Sequence, residues 1–262
     1  MSSPRKRSLF EKASGPVFFL SLPLLWEAVS RSGLVSKLYF PTAADIIAVW
    51  FSLMADGTLP LALYQTFSRM AAGFFTAACL MIPLGAAIGL SPRLRLLFTP
   101  AIELLRPLPP PAIIPAAMLF LGIGSSMKIF VVFFACSFPI LINAMEGARR
   151  VPRLFTDTGR VFGAGKGRLI WRVILPAASP RIMSGLRVAL PIALIVAVLS
   201  EMVGSVDGVG HFILHMQRVF SIPQMYAGVV TLGLAGWIIN ALFMLADRKL
   251  LAWYGGWKRG GA

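Results

Sequence analysis

Arg69, Glu103, Arg106 and Glu201 are charged residues set inside long apolar runs. Each costs roughly 2.5–3.5 kcal/mol to place at the centre of a membrane helix. The chemistry open to them is recognition or pairing: a guanidinium can hold an oxyanion, and a carboxylate can neutralise a cation. Two readings stand side by side. In one, the four residues line a translocation path or a seam between helices. In the other they are satisfied locally, with Glu103 and Arg106, three apart on one helical face, forming an ion pair near an interface towards which long side chains snorkel. Enzymatic chemistry would need acid, base or ligand groups clustered near one surface. The chain has only ten Asp and Glu and two His, which argues against an enzyme. His211 and His215 have the i, i+4 spacing of a helical metal pair. No third ligand is evident, so they read as part of an exposed outer loop, and no metal site is expected.

A second constellation is the stretch DTGRVFGAGKGRLIWRVILP, Asp157 to Pro176, basic and studded with glycine between two apolar runs. Its GAGKG core, Gly163 to Gly167, suggests a phosphate loop. A nucleotide-binding loop of that kind requires G-x-x-x-x-G-K-[ST] after a strand. Here Lys166 is followed by Gly167, position 160 is Arg, and no strand precedes. The chain should hold no nucleotide itself, so any ATP that drives it belongs to another subunit.

The elements that position these residues are membrane helices. Mean hydropathy is +0.79, with 13% charged residues. Apolar segments occur at about 15–33, 62–90, 98–123, 127–147, 182–204 and 224–247, each reaching the roughly 18 or more residues that a bilayer core demands. The net charge of +15 could suggest nucleic acid. Its confinement to short segments between apolar runs is instead the positive-inside pattern. Placing both termini in the cytoplasm puts roughly eighteen basic residues inside and about four, Arg31, Lys37, Lys128 and Arg218, outside. These features predict an all-α polytopic membrane protein of about six spans. The first span is a retained helix rather than a cleaved leader, since no small-residue cleavage site follows it. The chain reads as one transmembrane domain over 1–262. Residues 1–61 form the first helix and an interfacial segment, 62–250 a five-helix core, and 149–181 a cytoplasmic loop. Cys79 and Cys136 lie in apolar runs without metal or redox spacing and read as small buried residues.

Within that frame the local chemistry is specific. RPLPPPAIIP, Arg106 to Pro115, removes backbone donors and should distort the third span, facing it towards protein or a wet cavity. Gly85 and Gly89 form a GxxxG that permits close helix contact. Leu154, Phe155, Thr158, Val161 and Phe162 follow one helical face, so 153–162 predicts a short amphipathic helix. The glycines break it, and a second short helix follows, ending at Pro176.

The pattern D-T-G, Gly163, and V-x-L-P over Val173, Leu175 and Pro176 resembles the EAA motif of permease subunits of ABC-type importers. Asp157, Thr158 and Gly159 stand where E-A-A is expected. LRPLPPPAIIPAAMLFLGIGSSMKI, LPAASPRIMSGLRVAL, SEMVGSVDGVGHFI and DRKLLAWYGGW are similar to the nitrate, sulfonate, taurine and bicarbonate branch. The resemblance covers about residues 40–257. It implies a type I importer permease fold of the MetI-like kind in a bacterial inner membrane. It further implies two permease copies, as a homodimer, two ATP-binding cassette subunits that hold ATP and Mg, and an extracytoplasmic solute-binding protein. Asp157, Thr158, Gly159, Gly163, Ala164 and Gly165 would form the coupling helix, with Leu175 and Pro176 closing the motif. The substrate would be a small anion such as a sulfonate, taurine or nitrate. An ion-gradient transporter or channel subunit is the competing reading.

Overall fold

The structure, a computed structural model, describes residues 21–36 and 38–252. Every regular element among them is helical. Residues 21–31 form α1, followed by α2 (Ala43–Ala55), α3 (Thr58–Leu90), α4 (Pro92–Leu105), α5 (Pro110–Leu121) and α6 (Ser125–Arg149). After these come α7 (Arg153–Val161), α8 (Lys166–Leu169), α9 (Leu175–Gly204), α10 (Val209–Arg218) and α11 (Ile222–Leu250). Four helices are long and apolar enough to cross a bilayer: α3, the run Gly167–Gly204 that includes α9, α6 and α11. Of the six expected spans, four are therefore continuous. The third is broken into α4 and α5 at an angle of 97°. The first lies partly outside the described residues.

The break follows from proline. Arg106 closes α4, and Pro109, Pro110 and Pro111 then deprive the chain of consecutive amide donors. Pro110 stands in the first turn of α5, where a missing N–H costs least. The expected distortion is thus a full corner rather than a kink.

The chain's contacts divide into two units. The smaller joins residues up to Pro60 with Phe212–Thr231. Within it the Trp26 indole stacks on Phe40 at 3.8 Å and donates to the Pro41 carbonyl at 3.0 Å, while Trp50 donates to Thr231 at 2.9 Å. Thr42 caps α2 by accepting from the Asp45 amide at 3.1 Å. His211 and His215 lie on α10 rather than in the loop expected of them.

The larger unit spans Leu61–His211 and Leu232–Ala262. Its centre is α6 against α9, with Val131, Cys136 and Ile140 facing Ala189, Ala193 and Val196. Between apolar helices in lipid, contact depends on shape, since lipid tails are as apolar as leucine. Small residues supply that shape. A Cβ at Gly85 would stand 2.6 Å from the Leu141 carbonyl oxygen, and one at Gly89 would press still harder on that of Met145. The GxxxG is therefore the seam between α3 and α6. Cys136 is buried as expected, whereas Cys79 is exposed on α3.

Candidate functional site

At one end of the larger unit, α7 forms a short knob on the surface. Pro152 precedes its first turn, and Gly163 terminates it. The Gly163 amide donates to the Arg160 carbonyl at 2.9 Å and the Ala164 amide to that of Gly159 at 3.0 Å. This pair of bonds is a Schellman cap, whose C′ residue must be left-handed. Gly163 has φ +74°, so the glycine of the motif is a conformational necessity. Gly159 serves a different need. A Cβ there would meet Leu169 Cδ1 at 2.7 Å, so small size lets α7 lie on α8.

Much of the apolar face of α7 is open: Leu154 is 71% exposed, Val161 85% and Phe162 84%, against 36% for Phe155. Its polar side holds an exposed Asp157–Arg160 pair at 3.3 Å. Thr158, Gly165 and Pro176 are exposed too, with Ala164 and Leu175 half-buried. A helix two turns long with an apolar face open at its end can do one thing well, which is to seat in a complementary groove.

Pro176 does not end the second short helix as expected. Residues Ile170–Ile174 wind as a π turn, with the Leu175 amide reaching back to the Ile170 carbonyl, and α8 runs on into α9. The wider turn absorbs the proline's missing donor. Around it Trp171 is exposed while Ile174 is buried. The result is one helix of 38 residues, Gly167–Gly204.

The far end of that helix carries the charges. Arg69 on α3 pairs with Glu201 on α9 at 3.0 Å and with Asp207, in the loop after α9, at 2.6 Å. Lys128 on α6 reaches Asp207 at 3.3 Å and the Ser205 hydroxyl at 2.5 Å. Glu201, 1% exposed, also accepts from Thr66 Oγ1 at 2.8 Å and from the Gly210 amide at 3.0 Å. Two cations and two anions cancel, and nearly all their hydrogen-bonding capacity is used. Burial works against an ionised Asp207, but the Arg69 hydrogen bond, with Ser205 and Lys128, outweighs it and holds the carboxyl down to about 2.

The four intramembrane charges therefore do not share one site. Arg69 and Glu201 are buried and bound to each other. Lys128 and Asp207, which nothing in the linear pattern singles out, complete their cluster. Glu103 and Arg106 do not form the ion pair that their spacing suggested. The helix ends at Leu105, one residue before Arg106, and both side chains are exposed. Arg106 lines a cavity with residues of α5, α6 and α9.

Fold and site together define the helical membrane component of a transport system, with an exposed knob at one end and a charge clamp at the other. Residues 80–253 match the family of binding-protein-dependent transport system inner membrane components. The chain is 31% identical over 229 residues to the putative aliphatic sulfonates transport permease SsuC of Bacillus subtilis (strain 168), covering 87% of this chain and 83% of that one. It is 28% identical to the taurine transport permease TauC of Escherichia coli (strain K12), over 88% and 86% of the two chains. It is 29% identical to the bicarbonate transport permease CmpB of Synechococcus elongatus, over 87% and 75%. A solved chain of the inward-facing MetNI methionine ABC transporter shares the fold, with TM-score 0.63 and 18% identity over 73% of this chain and 94% of its own. The protein belongs to the binding-protein-dependent inner membrane component family. It is an ABC importer permease, not itself a catalyst, and the family implies ATPase and binding-protein partners.

Proposed function

We propose that the chain pairs with a second copy of itself, and that the pair imports a small anion on the power of two ATPase subunits, which hold the ATP and Mg. The taurine, sulfonate and bicarbonate permeases it resembles support that substrate class. Both termini lie in the cytoplasm, by the charge pattern, so α7 faces the ATPases and the Arg69 cluster faces the solute-binding protein. The observation that carries the reading is the exposure of Leu154, Val161 and Phe162 on α7, held by the Gly163 cap on a surface rich in arginine. Gly159 rests on Leu169 near the start of the long helix, and Glu201 sits near its end. A push on α7 therefore has a lever of about 57 Å along which to travel. ATP-driven closure moves the two knobs together and shifts the bundles between two states.

Gly163→Arg tests this. It strains the left-handed residue and places a charge beside the apolar face, in open space where no clash follows. The expected result is normal membrane insertion with loss of ATPase co-purification and of uptake. Retained docking and uptake would sink the coupling role. Substrate uptake by the purified chain in vesicles lacking ATPases would instead support an ion-gradient transporter.

A further inference from the structure

A cavity of about 370 Å³ opens between α5, α6 and α9. It lies at mid-length of the bundle, between Phe134 and Asn143 on α6 and beside Val188 and Ile192 on α9. Its size falls within the roughly 300–1,000 Å³ of small-molecule sites. The walls are apolar, except that Arg106 and Asn143 stand in them.

Three observations set this cavity apart from a packing flaw. First, the Arg106 guanidinium makes no hydrogen bond or ion pair among the described residues. Three other bundle cations, Arg69, Lys128 and Arg187, are matched with Glu201 and Asp207, Asp207, and Asp247 respectively. A charge in a span without a protein partner marks a ligand or ion pathway. Second, Pro139 has no amide to offer the Ala135 carbonyl one turn earlier, and both residues line the cavity. Freed backbone acceptors at membrane depth belong against protein or water. Third, α5 begins at the cavity, at Pro110, so the positive end of its dipole favours an anion there. Pro110 and Pro111 have no N–H to donate. An anion must therefore take its hydrogen bonds from the Arg106 guanidinium, whose fork suits an oxyanion.

We infer that Arg106 is the charge-recognition residue of an anion subsite inside the transport path. It takes the oxyanion head of a small organic anion, with the apolar body against Phe134, Phe138, Val188 and Ile192. This rests on the permease reading, and its test is independent of ATPase coupling.

The test uses the permease–ATPase complex in nanodiscs of neutral lipid, with Cys79→Ser and Cys136→Ala as background and Val188→Cys as reporter. Val188 lines the cavity. The probes are sulfonatoethyl methanethiosulfonate, itself an alkanesulfonate, and its trimethylammonium counterpart. With each rate taken relative to that reagent's rate on a free thiol, the anionic reagent should label the Val188→Cys thiol about tenfold faster than the cationic one, the scale of one nearby charge. Arg106→Gln should bring the ratio close to one, and Arg106→Lys should keep most of it. Added 1-butanesulfonate should slow labelling only where a cation remains at 106. No labelling by either reagent would mean a dry, lipid-facing groove and would overturn the subsite. A ratio indifferent to Arg106→Gln would overturn the residue's role. Protection by anionic lipid but none by butanesulfonate would make it a headgroup site, and the proposal would fall. An intact ratio in a complex that does not import would leave the subsite standing while the permease reading fails.

Discussion

Arg69 and Arg106 are the same residue in two opposite situations. Arg69 is 7% exposed and bonded to two carboxylates and a serine on neighbouring segments. Arg106 is exposed in a half-open cavity with no partner of its own among the described residues. A charge that has committed its hydrogen bonds to other helices holds those helices in place. A charge that still has them available can hold a substrate. Their environments, rather than their residue type or their presence in an apolar run, separate clamp from binding group.

The strongest way to break this contrast is to unpair the clamp. Glu201→Ala leaves Arg69 buried beside a single, partly exposed carboxylate and orphans the Gly210 amide, while the Thr66 hydroxyl keeps the Ala62 carbonyl as its acceptor. Loss of one partner of a buried pair costs about 3–5 kcal/mol, whereas replacing both with apolar groups is often neutral. Thermal unfolding of the detergent-purified complex should show a large drop for Glu201→Ala and a much smaller one for Arg69→Met with Glu201→Leu. A double-variant loss equal to the sum of the losses in Arg69→Met and Glu201→Leu alone would show that the pair is not a clamp, because their energies would not be coupled.

A smaller effect is expected at Asp207, which is only partly buried. Its carboxyl is held near 2, below its ordinary 3.8. A depressed acid contributes stability above its unfolded value, and that contribution disappears as pH falls through the folded one. The melting-temperature gap between the wild type and Asp207→Asn should be full at pH 6 and shrink between about pH 4 and pH 2. A gap that stays constant across that window would mean that the Arg69 and Lys128 bonds do not stabilise the charged form.

Much of this arrangement was legible from local pattern. The spacing of Leu154, Val161 and Phe162 gave α7, Gly163 marked its cap, and the proline run marked the corner after α4. These are features set within one or two turns of chain. The clamp was not legible, because Arg69 and Glu201 lie 132 residues apart and helix spacing says nothing about pairing across helices. Lys128 looked like one more basic residue beyond the membrane, and Asp207 lay in a loop. Glu103 and Arg106 misled for the converse reason. Their i, i+3 spacing permits a contact without compelling one: the Arg106 amide still donates to the Ile102 carbonyl, yet both side chains are exposed and unpaired with each other. Pro176 misled likewise, since a proline ends a helix only where no wider turn can absorb it.

The smallest effect on stability should come from Arg106→Gln, and it sharpens the contrast most. The substitution breaks no ion pair or hydrogen bond, removes a charge from a span, and keeps a polar group at the cavity wall. Melting of the same complex should therefore move by no more than about 0.5 kcal/mol, as for a position free of structural contacts. Beside the multi-kilocalorie loss at Glu201, that small shift separates an arginine built into the fold from one kept for what enters the cavity. A loss on the Glu201 scale would show that Arg106 holds the bundle together. The two arginines would then be alike, and the cavity would be left without its recognition group.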